Sequence, residues 1–494
     1  MSLAHHLPAL QVVLPLMAAP LVVLLRRSGP GFALVTLVSW AALAIAIALW
    51  RQVDAGGTIS YAIGNWPPPL GIEYRVDRLT SFILVLVAGV AAVVVPYSRR
   101  SIEAEIPREQ HYLFYSLFAL ALAGLLGITI TGDAFNIFVF LEISSLSTYA
   151  LIALGRDRRA LLAAYRYLIM GSIGATFIVI GIGLLYLMTG TLNLADLGAR
   201  LPAVRESRPL LAAMAFLTVG IGLKLALFPL HQWLPDAYTF APSAVSAFLA
   251  GTATKVAIYV LLRFYFSVFD QSVFFQRMPW SEILLVLSLA AIFVASATAI
   301  FQDDLRRLLA YSSIGQIGYI TLGIALATES GLTAAIAHMF NHGITKAALF
   351  MLCGCMVVAV GGTNMSQLAG LGRRMPLTSF CMVLGGLSLI GGPGTAGFVS
   401  KWYLLLAAFE KHSWWLALAI LASSLLTVVY VWRFVEVAYF KAPLGERSAP
   451  REAPPSMLVP ACLMIGAVIW FGLDTSFITG SASAAAAQLL GAAK

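Results

Sequence analysis

Charge is scarce in this 494-residue chain: Asp, Glu, Lys and Arg together supply 11% of it, against about 25% in an ordinary soluble domain. With 60% hydrophobic residues and apolar stretches of roughly 20 residues recurring along the chain, each able to cross a hydrocarbon layer about 30 Å thick as a helix, a soluble multidomain protein is excluded. Cysteine is almost missing. Cys353, Cys355, Cys381 and Cys462 all sit inside apolar runs, with no CxxC pair and no His at ligand spacing. They read as packing residues, since a free Cys behaves as a small hydrophobe, and no metal is expected. A Walker loop and a GxGxxG opening a helix after a strand are both lacking, so no nucleotide cofactor or intrinsic redox chemistry is expected. The net charge of +9 comes from basic residues spread over short inter-helix loops. That distribution argues against nucleic acid as a partner and reads as a topology signal. The N-terminus, MSLAHHLPAL, has no basic n-region, so the first apolar run is expected to stay as a membrane helix.

What is present is an all-α polytopic membrane protein. Apolar windows set against charged and Gly/Pro breaks give about fourteen spans, starting near residues 8, 31, 78, 112, 134, 164, 209, 243, 281, 307, 332, 377, 413 and 455. The segment from Arg51 to Arg78, with GNWPPPL inside it, has too many prolines for a helix and is an extramembrane loop. With both termini outside, one set of alternate loops, including Arg26, Arg27, Arg99, Arg100, Arg156, Arg158, Arg159, Arg306, Arg307, Arg447 and Arg451, holds about 16 basic residues against about 8 on the other side, among them Arg277, the bias of a cytoplasmic face.

Two spans are broken at corresponding places. GLKLALFPLHQWLPDAYTFAP carries Pro229, Pro235 and Pro242 in the seventh span, and GGPGTAGFVSK interrupts the twelfth. Unwound backbone at membrane depth is tolerated only beside protein or water, and a matched pair of interruptions points to inverted repeats with an ion path between them. Two proline kinks used only for packing are the plainer reading. Lys224 precedes its break whereas Lys401 follows its own, which weakens the symmetry.

The chemistry lies in ionisable groups placed mid-span, each costing about 3 kcal/mol or more at the bilayer centre: Glu142, Lys224, Lys255, Lys346 and Lys401, with His231, His338 and His342. Snorkelling explains Lys224 and Lys255 poorly, because both are far from a span end. In AHMFNHGITKAALF, His338, His342 and Lys346 fall at i, i+4 and i+8, one ridge of a helix drifting about 40° per step over roughly 12 Å. A neutral imidazole accepts at one nitrogen and donates at the other, and a desolvated Lys can release its proton near neutral pH, so the ridge suits proton transfer. Histidines donating to nearby carbonyls are the bland alternative. Glu142 is the natural partner of Lys224, favouring the charged amine when close and releasing its proton when withdrawn. Na+ or K+ would want several oxygen ligands, by analogy with other hard cations, whereas this path offers amines and imidazoles. Asp133, at the start of the fifth span, fits a cation entrance or a helix cap; Asp236 is a further accessory candidate beside His231.

These residues carry a family resemblance. From about Val76 to Ala408, the motifs GLKLALFPLHQWLPDAY, SAFLAGTATKVAIYVLLR, RRLLAYSSIGQIGY, HMFNHGITKAALF and AGFVSKW resemble the proton-conducting antiporter-like subunits shared by respiratory complex I, membrane-bound hydrogenases and Mrp-type cation/proton antiporters. Within that family, GDAFNIFVFLEISSLSTYALIALG and YLIMGSIGATFIVIGIGLLYLMTGTLNLADL look most like the D-type subunit of Mrp antiporters. The resemblance implies fourteen transmembrane helices with two inverted five-helix repeats, each with a broken helix. It divides the chain into an N-terminal three-helix part (1–111), a first repeat (112–265), a second (281–440) and a C-terminal helix with a short tail (455–494). It implies that Glu142 is the essential fifth-helix glutamate, Lys224 the seventh-helix lysine and Lys255 the connecting lysine of the eighth. His338, His342 and Lys346 match the eleventh-helix relay and Lys401 the terminal lysine of the twelfth. M-type complex I subunits usually carry Glu there, and L-type complex I or A-type Mrp subunits continue into further helices, so neither is expected.

The expected function is proton translocation in a Mrp-type Na+ or K+/proton antiporter complex, with other membrane subunits, protons, possible Na+ or K+, and the lipid bilayer as partners. The expected location is a prokaryotic plasma membrane. The alternative is the proton-pumping subunit of a complex I-like or hydrogenase assembly whose redox centres sit on other chains. A structural anchor that has lost conduction would lack ionisable residues along the path, and none is missing.

Overall fold

The computed structural model describes residues 3–269, 279–442 and 452–491. The loop arginines Arg277, Arg447 and Arg451 lie outside the described residues. Nearly everything described is helical: α1 (Leu7–Leu25), α2 (Ser28–Gly56), α3 (Arg78–Glu105), α4 (His111–Ile130), α5 (Ala134–Ala153), α6 (Arg158–Thr189), α7 (Leu194–Arg200), α8 (Arg208–Leu225), α9 (Trp233–Phe240), α10 (Ser243–Gly251), α11 (Ala253–Leu262), α12 (Trp280–Ile300), α13 (Leu305–Leu326), α14 (Glu329–Val360), α15 (Leu371–Arg374), α16 (Pro376–Ile390), α17 (Ala396–Glu410), α18 (Trp414–Val435), α19 (Pro455–Leu473) and α20 (Ser476–Leu489). Among the described residues, 13 helical segments are long and apolar enough to cross a membrane, and Pro376–Ile390 is a shorter apolar one. Counting that interrupted span, the crossings start within a few residues of the expected positions.

The few polar residues are spent on helix ends. Asp77, Asp133, Asp157 and Asp304 precede α3, α5, α6 and α13, and each carboxylate accepts a backbone N–H of the first turn, removing an orphan donor that would otherwise face oil. Proline opens α1, α8, α16 and α19, where its missing N–H costs nothing. Gly190, Gly361 and Gly391 end α6, α14 and α16 in the left-handed conformation, which a side chain would resist.

The Arg51–Arg78 segment ends in a hairpin of β1 (Ile59–Ala62) and β2 (Glu73–Val76), antiparallel with Ile59 opposite Val76. Gly132 N donates to Glu73 O at 2.8 Å, so the α4–α5 turn lies on the hairpin face. At the other end of α3, Glu105 meets the α12–α13 turn through Arg306. The two turns are built alike. Asp133 bridges Asn193, and Asp304 bridges Asn364; Ala134 N donates to Leu192 O and Leu194 N to Gly132 O, as Leu305 N does to Thr363 O and Met365 N to Asp303 O. One backbone motif thus occurs twice, on opposite faces, which is an inverted repeat read directly from hydrogen bonds. The paired long helices α6 and α14 are each 32 residues.

Arg306 departs from the loop role expected of it. It is buried, donating to Glu105 at 2.9 Å, to the Thr239 and Ala241 carbonyls and to Ser243 Oγ. Glu105 also accepts from Ser243 N and Oγ, both at 2.9 Å, and from Ser101 at 3.0 Å. These partners offset much of the cost of burying the pair, although Arg306 Nε has none among the described residues, and the pair ties α3, the α9–α10 connection and α13 together. A second buried pair, Asp77 with Arg263, stands near the hairpin face and takes in Thr80 and Tyr259.

Candidate functional site

Lys224 lies in the last turn of α8, and its ammonium donates to Ser145 Oγ of α5 at 2.8 Å with Glu142 Oε1 at 3.6 Å. The helix stops one residue later, with Ala226 left-handed. In the other repeat α16 stops at Ile390. Lys401, in the second turn of α17, reaches back to donate to Leu389 O at 3.1 Å and Ile390 O at 2.9 Å. Both lysines thus stand at the end of the first half-helix, Lys224 from within its last turn and Lys401 from across the break, but only Lys401 is held by that helix's last carbonyls, where the helix dipole favours a cation. Lys401 also donates to Ser424 Oγ at 3.1 Å and lies 4.4 Å from the centre of the Tyr319 ring.

Lys255 is buried in α11 and donates to Ala250 O and, at 3.4 Å, to Thr254 Oγ1. Ala250 O is available because α10 and α11 are separated at Thr252, which has φ −125° and ψ −56°. This interruption of the eighth span is not foreseen above; its only trace in the sequence is the Gly251–Thr252 step. A cavity of about 30 Å³, enough for about one water, lies between the two lysines' helices, lined by Lys224, Ser144, Ser145, Thr148 and Tyr167 and, from α11, Val256.

On α14 the imidazoles of His338 and His342 are parallel with ring centres 5.8 Å apart. Lys346 donates to Leu309 O at 2.8 Å and to Ser312 Oγ. His338 Nδ1 is 2.7 Å from Ser400 Oγ, and Nε2 is 2.8 Å from Gln316 Oε1. Gln316 Nε2 in turn donates to Leu389 O at 3.2 Å, the same carbonyl that holds Lys401. Since the amide nitrogen is committed to that carbonyl, Oε1 must accept, and His338 donates from Nε2. Gln316 is a candidate site residue that the charge pattern of the sequence does not reveal, although it lies inside the quoted motif RRLLAYSSIGQIGY. Among the described residues, both ring nitrogens of the buried His342 are without a hydrogen-bond partner, a cost of about 1–3 kcal/mol each if left dry.

The accessory candidates stand apart. Asp133 caps α5 on the hairpin face through Asn136 N at 2.7 Å. Asp236 lies on the opposite face in ion pairs with Arg166 at 2.6 Å and Arg307 at 3.2 Å. His231, in the break after α8, stacks on Phe228 at 5.1 Å.

An all-helical membrane fold of two inverted repeats, each with a broken helix holding a buried ammonium, defines the antiporter-like class. Residues 131–427 match the family "NADH:quinone oxidoreductase/Mrp antiporter, TM", and the chain belongs to it. It is 44% identical over 492 residues to NADH-quinone oxidoreductase subunit N of Desulforudis audaxviator, covering 95% of this chain and 96% of that one. It is 30% identical to the D-type subunit of the Na(+)/H(+) antiporter of Alkalihalophilus pseudofirmus, covering 91% and 89%. A chain in the solved Mrp complex from Dietzia sp. DQ12-45-1b superposes with a TM-score of 0.91 at 26% identity, over 100% of this chain and 98% of that one.

Proposed function

We propose that this chain is a proton-translocating subunit of a larger membrane assembly. Protons load at the Glu142–Lys224 pair, pass Lys255, cross the α14 relay of His342, His338 and Lys346, and leave from Lys401, with Gln316 holding His338 in position beside the Leu389 carbonyl. Residues 112–265 and 281–440 are read as its two transport units. The observation that carries the reading is the contrast among the amines. Lys224 has a carboxylate within 4 Å, whereas Lys255, Lys346 and Lys401 are in no ion pair among the described residues and are held by carbonyls and hydroxyls. Neutral partners tolerate both the ammonium and the free amine, so those sites can be loaded and emptied without leaving a buried counter-charge behind.

Exchange of Na+ or K+ for protons in a Mrp-type assembly is the more specific reading, supported by the Na(+)/H(+) antiporter relative and the likeness to the Mrp complex. A redox-driven assembly with its redox centres on other chains is favoured by the 44% relative named as an NADH-quinone oxidoreductase subunit. Both use the same path, and Na+ or K+ exchange would be a property of the assembly. The excess of basic residues on the Glu105 face supports reading that face as the cytoplasmic one of a prokaryotic cell, with both termini outside. The test is to purify the native assembly, identify its subunits, and measure pH changes driven by Na+, K+ or NADH in inverted vesicles. Lys224→Ala should abolish them; unchanged proton movement would refute the path.

A further inference from the structure

The contact between the second repeat and the C-terminal helix carries a feature that proton transfer does not use. Cys381, in α16, and Cys462, in α19, bring their sulfurs to 3.6 Å although 81 positions separate them. The approach belongs to a tight helix contact. Gly385, one turn beyond Cys381, packs first on Leu349 of α14, where a Cβ would lie 2.6 Å from Cδ2, and then on α19, 3.2 Å from Cδ1 of Ile465, one turn beyond Cys462. Below the pair, Glu452 accepts from Leu377 N at 2.7 Å and from Thr378 Oγ1 at 2.5 Å, which fixes the start of α16 against the chain leading into α19. The thiols are thus held in register from both sides. A disulfide needs sulfurs about 2.05 Å apart, so the two must approach by about a further 1.5 Å.

We propose that Cys381 and Cys462 form an oxidisable dithiol, a modification site whose disulfide locks α16 to α19. Access selects the oxidant. Cys381 is buried and Cys462 half-buried, and α19 turns Val459 and Leu463 outward, toward lipid. The reagent that reaches the pair is therefore a lipid-soluble two-electron oxidant of the quinone class. In the balanced step, two S–H bonds break and one S–S bond forms. The thiols are oxidised, the quinone is reduced to hydroquinone, and both hydrogens end on its oxygens. The lock has a consequence that rests on the transport reading: the last carbonyls of α16, Leu389 and Ile390, are those that hold Lys401. A disulfide two to three turns away restrains the half-helix that must move if those carbonyls are to release the ammonium.

The test uses the assembled complex in its own membrane vesicles and tetramethylbenzoquinone, whose ring has no free position for thiol addition. After oxidation, remaining thiols are capped with N-ethylmaleimide and the peptides mapped by mass spectrometry. A Cys381–Cys462 link that dithiothreitol reverses is expected, with Cys353 and Cys355 still capped. Capping of both Cys381 and Cys462 without a link, or a link from Cys462 to Cys355, would overturn the pair; Cys462→Ser should abolish the link. Proton flux should fall by about fivefold or more on oxidation, as for a gated conformational step, recover on reduction, and be insensitive in Cys462→Ser. A link with unchanged flux overturns the lock. Absence of flux in reduced vesicles overturns the transport reading instead, and leaves the mapping to decide the thiol pair.

Discussion

Replacing Glu142 by Gln keeps the shape of the α5–α8 contact and removes its charge. The Lys224 ammonium stands 3.6 Å from Glu142 Oε1, with side-chain exposures of 5% and 29%. At an effective dielectric of about 20 that separation gives an attraction of about 4–5 kcal/mol. Water reaching Glu142 screens part of it, leaving about 3 kcal/mol in favour of the charged amine. The Ser145 hydroxyl at 2.8 Å remains, but one neutral hydrogen bond returns only about 1 kcal/mol. Glu142→Gln should therefore slow proton flux in inverted vesicles by about 10- to 100-fold, while Glu142→Asp, with its carboxylate kept but drawn back, should be intermediate. The assay is quenching of a pH-sensitive dye after a cation pulse, normalised to assembled complex. Flux for Glu142→Gln within about twofold of the unmodified protein, below the effect of even 1 kcal/mol, would refute the loading role.

Gln316→Leu fills similar space and cuts the connection from His338 to the Leu389 carbonyl. Flux should drop by about tenfold or more, as when a positioned group is displaced, with subunit assembly unchanged; equal flux would show that His338 needs no hold from Gln316. The Glu105–Arg306 pair predicts a stability effect of a different form. Glu105→Ala strands a buried guanidinium and should cost about 3–5 kcal/mol, and the Arg306→Ala/Glu105→Ala double variant should be more stable than the two separate losses sum to, by about 2 kcal/mol or more. Thermal unfolding in detergent followed by tryptophan fluorescence measures the cycle, and additivity within about 0.5 kcal/mol would mean the charges do not interact.

What the sequence made legible follows from what a membrane demands. Apolar runs long enough to span, capped by Asp or opened by Pro, located the helix starts, because no other solution satisfies the backbone in oil. The two long interruptions were visible because proline and glycine cannot hide there. The subtler break at Thr252 was not, since its residues, Gly251 and Thr252, are common within membrane helices. Of the ion pairs across distant segments, Glu142 with Lys224 was legible, because both charges stand in mid-span, and two others were hidden. Arg306 has the sequence surroundings of a loop arginine and Arg263 those of a span end, and only the fold brings Glu105 and Asp77 to them. Gln316 is neutral, so a search for charges in oil passes over it, although its amide joins the two groups that the search did find.

The two repeats share their backbone and differ in charge, and the difference bears on direction. Each presents an ammonium at the end of a half-helix, but the first has Glu142 beside it, and the second has the Tyr319 ring and Ser424. A movable carboxylate can alternately stabilise and abandon a cation; an aromatic face and a hydroxyl cannot change sign. On the proposed reading, control then belongs at Lys224 and the Lys401 end responds to what arrives through α14. Moving the carboxylate to the other end, with Glu142→Ser and Ser424→Glu in one chain, would place the control where the second repeat releases its proton. If direction is set by that single charge, such a chain should assemble and yet fail to build a pH gradient of the original sign.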